Sequence, residues 1–271
     1  MRKIESRYGL ARRPFTKEVD VEDLFQSEVM QGHQARLKAA VEGRSCAVVT
    51  GDPGTGKTFL LRALEKELNQ ARYKITYVHN SSITRRDFYR QLSIILGLEP
   101  KAHPSALFRQ VQAYAEDLAD GQKIHPLLVL DDAQLLPMGV LEHLHVLLNF
   151  RRDSRAFLSV LLIGLPELRD RLARNMLASL SSRLPVRIHV EPFDVAHVGQ
   201  YLRHRMKIAG CTQEVFSDEA TLCVREATGG IMRKIDSLAW SCLEVACERK
   251  SSLVDGTIVQ EGVRLCAEAL R

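Results

Sequence analysis

A chain of 271 residues that is 45% hydrophobic can bury one large core and a smaller second one, which excludes a disordered segment or a disulfide-stapled miniprotein. Its 38 Lys and Arg against 33 Asp and Glu leave a net charge of +5, a mild basic excess that permits a nucleic-acid partner without requiring one. The six cysteines are scattered with no CxxC pair, so a zinc site or disulfide framework is not expected and a reducing cytoplasm fits best. The start, MRKIESRYGL, is charged without an apolar signal core. The most apolar run, 157-FLSVLLIGL-165, is far shorter than the roughly 20 residues of a membrane helix, so neither an anchor nor export is expected.

In chain order, 46-CAVVT-50 is a β-branched strand pattern ending at Gly51, and 58-TFLLRALEKELNQ-70 carries apolar residues at helical spacing. Strand-like 75-ITYVH-79 precedes helix-like 85-RRDFYRQLSIIL-96, and strand-like 127-LLVL-130 precedes helix-like 138-MGVLEHLHVLLNF-150. Strand patterns at 158–164 and 186–190 flank a helical pattern over 167–177. This alternation predicts a parallel sheet covered on both faces. Beyond Pro192 the pattern is helical at 194–209, 217–228, 231–249 and 255–271, with Ser217 and Asp255 as N-caps and Gly229-Gly230 as a break. The expected architecture is α/β: an N-terminal arm at 1–23, a parallel-sheet αβα core at 24–192 and an all-helical lid at 193–271.

Between the first strand and its helix, 51-GDPGTGKT-58 matches GxxxxGK[ST] in full, in the strand–loop–helix setting the motif needs. Glycines let backbone N–H groups of Asp52, Pro53, Gly54, Thr55 and Gly56 (proline excepted) curl round phosphate oxygens, and the helix dipole favours the anion. Lys57 is expected to reach the β- and γ-phosphates and Thr58 to ligate Mg2+, so ATP and Mg2+ are the expected cofactors. The stretch 127-LLVLDDAQ-134 supplies the second half of such a site: Asp131 to hold the magnesium through water and Asp132 to orient the attacking water. Asp132 is one methylene shorter than a Glu, a misplacement that can cost on the order of 100-fold in rate. Slow hydrolysis is expected.

With its P-loop, acidic strand and helical lid, the chain resembles the AAA+ ATPases. More narrowly, 8-YGLARRPF-15, 24-LF-25, 87-DFYRQL-92, 146-VLLNF-150, 164-GLPEL-168 and 229-GGIMRKI-235 resemble the ExeA/GspA-type ATPases and the related TnsC/TniB/MuB-type transposition regulators. The resemblance implies assembly into rings or helical filaments, around duplex DNA in the transposon branch, to recruit a transposase, with a target-selection protein as a further candidate partner. It also implies that Leu24 and Phe25 line the adenine pocket, that Arg183 in 181-SSRLPVR-187 is the arginine finger reaching a neighbour's γ-phosphate, and that Arg233 is the lid's sensor arginine. Arg187 competes for the finger role. Met232 stands where the family usually has proline, and Leu165 where relatives often carry Gln, so hydrolysis-side positions depart from the pattern while binding-side positions keep it.

For DNA, 80-NSSITRRDFY-89 presents Arg85 and Arg86 beside hydroxyls and amides, a mix suited to phosphate oxygens, although the same residues read equally as a solvated helix start capped by Thr84. A second basic cluster, Arg151, Arg152 and Arg155, could face DNA, a neighbouring subunit or water. His143 and His145 sit two apart on different helix faces and make no metal pair. Cys242 and Cys247 are expected to pack in the lid, Trp240 to fill its core, and the arm with Arg12 and Arg13 to strap a neighbouring surface. The expected function is an ATP-dependent, largely non-sequence-specific DNA-binding regulator of transposition. The rival is an ExeA/GspA-like ATPase supporting assembly of a secretion machine; in those proteins a membrane segment follows the ATPase, whereas this sequence stops at Arg271, which favours the first reading.

Overall fold

The structure, a computed structural model, describes residues 2–16, 18–79, 84–267 and 269–270. It divides into two compact units, one of Val29–Gly51 and Lys57–Val190, the other of Met1–Glu28, Asp52–Gly56 and Glu191–Arg271.

The first unit is built on five parallel strands, β1 (Ala47–Gly51), β2 (Tyr73–Val78), β3 (His125–Leu130), β4 (Ser159–Gly164) and β5 (Val186–Val190), in the order β2-β3-β4-β1-β5. Ala47 is registered with Leu161 on one side and Val186 on the other, and Leu127 with Ser159. The three central strands are buried along their whole length, whereas β2 and β5 at the edges alternate. That is the behaviour of a sheet with helices on both faces.

Successive residues point to opposite faces and so feed two separate cores. Val48, Leu128 and Val160 pack with Phe88, Leu107, Leu141 and Leu144. Val49, Leu127 and Val129 pack with Leu37, Leu60 and Leu64. Because every strand is parallel, β1, β3 and β4 bring their ends, Gly51, Leu130 and Gly164, to one edge of the sheet, where ligands of such sheets bind.

Several helices depart from the sequence pattern. Helices Glu28–Glu42 and Pro104–Glu116 were not foreseen. The predicted helix 138–150 stops at Leu147, because Phe150 bridges back to Arg155 across a turn in which Arg151, Arg152 and Asp153 are left-handed. The pattern at 167–177 breaks after Leu172, where extended Arg174 resets the chain so that Leu172, Leu177 and Leu180 are all buried.

The second unit packs helices Val195–Ile208, Asp218–Thr228, Met232–Glu248 and Gly256–Leu265 round Leu202, Ile235, Leu238 and Leu243. Ser217 accepts the Ala220 N–H at 3.0 Å and Asp255 the Ile258 N–H at 2.9 Å, as the sequence predicts. The last helix ends at Leu265, short of the predicted 271, and non-helical Cys266 turns into the core. Gly230 has φ 77°, and a Cβ there would lie 2.0 Å from the Phe193 carbonyl oxygen, so only glycine fits. The N-terminal helix Arg2–Tyr8 and its following strap belong to this unit: the buried Arg205 fork donates to the carbonyls of Pro14 (2.7 Å) and Thr16 (2.8 Å). Among the described residues, no helix is long and apolar enough to cross a membrane.

Candidate nucleotide-binding site

β1 ends at Gly51 and the helix Lys57–Glu67 begins six residues later. Between them Gly54 (φ 85°) and Gly56 (φ 107°) adopt conformations that favour glycine, and Thr55 folds back on the Asp52 carbonyl through both its N–H (3.3 Å) and its hydroxyl (3.0 Å). The Lys57 ammonium donates to the Gly51 carbonyl at 2.8 Å. Within the second unit, the Arg233 N–H donates to the Gly54 carbonyl at 3.3 Å, and a Cβ on Gly54 would come within 2.7 Å of the Arg233 Cβ. In sequence the glycine loop is followed directly by Lys57 and Thr58, which open a helix with no acidic residue in its first turn, the donor types a magnesium triphosphate needs. Lys57 and the loop amides would hold the phosphates and Thr58 the Mg2+, which supplies charge neutralisation at the γ-phosphate.

At the end of β3, Asp131 accepts the Asp132 N–H on one oxygen (2.9 Å) and the Tyr77 hydroxyl on the other (2.7 Å). Asp132 is left-handed, φ 49° and ψ 38°. Its carboxylate accepts the Gln134 amide N–H at 3.1 Å and lies 3.5 Å from His79 Nδ1. The oxygen of that Gln134 amide accepts the Leu165 N–H at 3.0 Å, so one side chain joins the acid after β3 to the backbone after β4. Arg171 caps the arrangement, donating to the carbonyls of Gln134 and Leu136. Burial, followed by the hydrogen bond to Asp131 and the charges of Asp131 and Asp132, raises the Tyr77 pKa, which keeps the phenol a donor at physiological pH. Sequence reasoning missed Tyr77, His79 and Gln134. The signals were available: Tyr77 and His79 are two apart at the end of β2, hence on one face, and Gln134 lies in the 131-DDAQ-134 stretch itself.

The other expected positions are distributed as follows. Lys57, Thr58, Asp131, Asp132 and Arg183 belong to the α/β unit, whereas Leu24, Phe25, Asp52–Gly56 and Arg233 group in the helical one. Leu24 and Phe25 are buried, and Phe25 makes ring contacts with Phe193, Tyr201 and His204. Arg183 forms a two-point ion pair with Asp153, and Arg187 donates to the Ser181 carbonyl (3.1 Å) and hydroxyl (2.6 Å). Arg85 and exposed Arg86 open the helix Arg85–Ile95, whose Thr84 cap accepts the Asp87 N–H at 3.3 Å; Asn80–Ile83 of the same segment lie outside the described residues. Trp240 does not fill the helical core as expected: it is half-buried, with the Arg13 guanidinium 4.0 Å over its ring. All six cysteines are free, and no group of metal-ligating side chains is found among the described residues; His143 is taken by the Tyr89 hydroxyl at 2.7 Å.

Residues 39–172 match the family described as AAA domain. Over 256 residues the chain is 32% identical to the general secretion pathway protein A of Aeromonas hydrophila, covering 93% of this chain and 46% of that one. The chain carries an AAA domain over residues 39–172. It spans less than half the length of this curated relative. Among solved structures the chain is similar to the Aeropyrum pernix ORC2 protein in its ADPNP-ADP complexes, with a TM-score of 0.69 at 16% identity over 94% of this chain and 71% of the other. It is also similar to Drosophila ORC bound to DNA, with a TM-score of 0.68 at 19% identity over 96% and 65%. The Thermotoga maritima RuvB Holliday junction branch migration motor gives 0.60 at 17% identity over 94% and 73%. At these identities the likeness establishes the fold alone, an AAA-type P-loop αβα core with a helical C-terminal region.

Proposed function

We propose that this ATPase is a slow, ATP-gated switch that assembles as a homo-oligomer on duplex DNA and regulates transposition by recruiting a transposase, hydrolysis serving to dismantle the assembly. The observation that carries this reading is the engagement of Asp132. Its carboxylate, already one methylene short, is held by Gln134 and His79, and Gln134 is in turn fixed to the Leu165 backbone. A water-orienting acid so restrained suits a timer whose bound state must outlast partner recruitment. In this reading Lys57, Thr58, Asp131 and Arg233 serve nucleotide binding, Leu24 and Phe25 face the adenine, Arg183 acts on a neighbour's γ-phosphate, and Arg85 and Arg86 contact the DNA backbone. The core and lid divide near residue 192. The DNA-bound ORC relative supports the view that such a fold can serve DNA.

A second reading is favoured by the 32% identity to the secretion pathway protein, namely an ATPase that drives assembly of an envelope machine. Duplex-DNA binding in ATP, ADP and a non-hydrolysable analogue, across a salt series, separates the two. Transposition regulation requires salt-sensitive, length-dependent binding that ADP reverses and that Arg85→Ala/Arg86→Ala loses. Absence of nucleotide-dependent binding on any duplex rejects it in favour of the secretion reading.

A further inference from the structure

Within the helical unit, a cavity of about 580 Å3 opens between the N-terminal strap, the helix Met232–Glu248 and the end of the last helix. The long helix lines it with Arg233, Asp236, Ser237, Trp240 and Ser241, whose three- and four-residue intervals put them on one face. Buried Phe15 and Cys266, half-buried Trp240 and Leu265, which is 66% exposed, make up its apolar part. The walls are fixed from within the unit. Arg205 holds the strap by the carbonyls of Pro14 and Thr16, and the Lys234 ammonium donates to the Leu270 carbonyl beside the other wall.

The charges of the cavity are unequal. Its carboxylate, Asp236, accepts the Tyr201 hydroxyl at 2.7 Å and lies 3.9 Å from buried Arg205, so it is answered inside the unit. Its two guanidiniums are not. Among the described residues the Arg13 guanidinium pairs only with the Trp240 ring, 4.0 Å away, and Arg233 is hydrogen-bonded through its backbone alone, to Gly54 and Ser237. The Trp240 N–H donates to Glu244 at 2.8 Å, which holds the ring under Arg13. A guanidinium stacked by its face keeps the N–H groups of its edge, the geometry that grips a carboxylate at two points.

Trp, Arg and an exposed Leu round one cavity are the residue types that anchor protein partners. The ring face a nucleic-acid base would stack on is already covered by Arg13, and the apolar wall offers nothing to a bare phosphate. Arg233 and Trp240 are seven residues apart on the helix, about 10 Å, which is the reach of three extended residues. We propose that this cavity docks a short extended segment of a partner protein in which two apolar residues lie between two carboxylates, one acid on Arg13, the other on Arg233. The inference goes beyond both readings above and stands whichever of them holds, since each needs a protein partner.

The test uses the full chain and fluorescein-labelled peptides with the core Asp-Leu-Phe-Asp, the uncharged Asn-Leu-Phe-Asn and the apolar-free Asp-Gly-Gly-Asp, followed by anisotropy. The first is expected to bind at least tenfold more tightly than either control. Arg13→Ala and Leu265→Asp, both at exposed positions, should each weaken it by about tenfold at unchanged melting temperature and unchanged affinity for a fluorescent ATP analogue. Arg13→Glu should reverse the preference, binding a peptide with one Asp replaced by Lys better than the original, which a merely structural role for Arg13 would not produce. Equal affinity for the three peptides, or full binding by Arg13→Ala, overturns the proposal. Competitive displacement of the peptide by the ATP analogue overturns it by assigning the cavity to the nucleotide site. A single-stranded oligonucleotide that binds more tightly than the peptide, and is lost in Arg13→Ala, overturns it in favour of nucleic acid. Failure of the duplex-DNA experiment above leaves it standing.

Discussion

Replacing Asp132 by Glu tests whether the short acid sets the pace of hydrolysis. In the proposed reading the missing methylene costs on the order of 100-fold in rate, or about 2.7 kcal/mol of barrier. Two effects work against full recovery. Asp132 sits at φ 49°, where Asp is tolerated better than Glu, so the longer side chain costs about 1 kcal/mol of stability. Glu also disturbs the 3.1 Å bond to Gln134, another ~1 kcal/mol. Roughly a tenfold or greater rise in kcat is expected, with a Tm lower by a few degrees. Phosphate release at saturating ATP and Mg2+ measures the first, thermal unfolding the second, and a fluorescent-nucleotide titration shows that binding is unchanged. A Glu variant that binds ATP normally yet hydrolyses no faster than the parent would refute the reasoning, because acid length would then not limit the rate.

Other outcomes follow from the same geometry. Lys57→Ala should weaken ATP binding by at least tenfold, measured by titration, since no other described cation starts the helix after the loop. Gly54→Ala forces a Cβ to 2.7 Å from Arg233 Cβ at φ 85°, so nucleotide affinity should fall by about tenfold or more; an unchanged affinity would show that the loop is not held as described. Gly230→Ala, with its 2.0 Å clash against the Phe193 carbonyl, should cost about 3 kcal/mol or more and appear as loss of the helical unit's unfolding transition. His125, 4% exposed, is lowered to a pKa of about 4 by burial and then by the Arg44 charge; its Nε2 bonds the Ser159 hydroxyl at 2.8 Å and its Nδ1 has no partner. The unfolded chain takes up this proton near pH 6.5 and the folded chain only near 4, so between those values the unfolded state binds more protons and stability falls on acidification, by up to about 1.4 kcal/mol per pH unit. Urea midpoints across that range should slope accordingly in the wild type and less in His125→Phe; equal slopes would exclude His125 as the source.

What was legible in the sequence is what phosphate chemistry and burial force on it. A triphosphate cradle needs glycines, a lysine and a hydroxyl at fixed spacing, and a strand buried on both faces reads as an unbroken apolar run, so the loop and β1, β3 and β4 were visible directly. So were the caps Ser217 and Asp255, whose hydrogen bonds are local. The helix Glu28–Glu42 escaped notice because six polar or small residues, Gln31 to Arg36, separate its buried Met30 from Leu37, Ala40 and Val41 near its end. The arm's place in the helical unit depends on Arg205 reaching Pro14 and Thr16, nearly the length of the chain away. Likewise the Gln134–Leu165 bond needs β3 beside β4, and the Arg183–Asp153 pair needs a left-handed turn that no local preference announces.

Those non-local contacts bear on one half of the site. On the binding side the Lys57 ammonium donates to the Gly51 carbonyl and the Gly54 carbonyl accepts the Arg233 N–H. On the hydrolysis side each proposed group is engaged by a side chain of its own chain: Asp131 by Tyr77, Asp132 by Gln134 and His79, Arg183 by Asp153. Leu165 adds only a backbone N–H, already given to Gln134. In the proposed reading hydrolysis requires Asp132 to be re-aimed and Arg183 to be released. The second of these, in the reading proposed here, takes a neighbour. A slow step that waits on assembly makes nucleotide occupancy a record of whether neighbours are present, which is the property a switch needs and a motor does not.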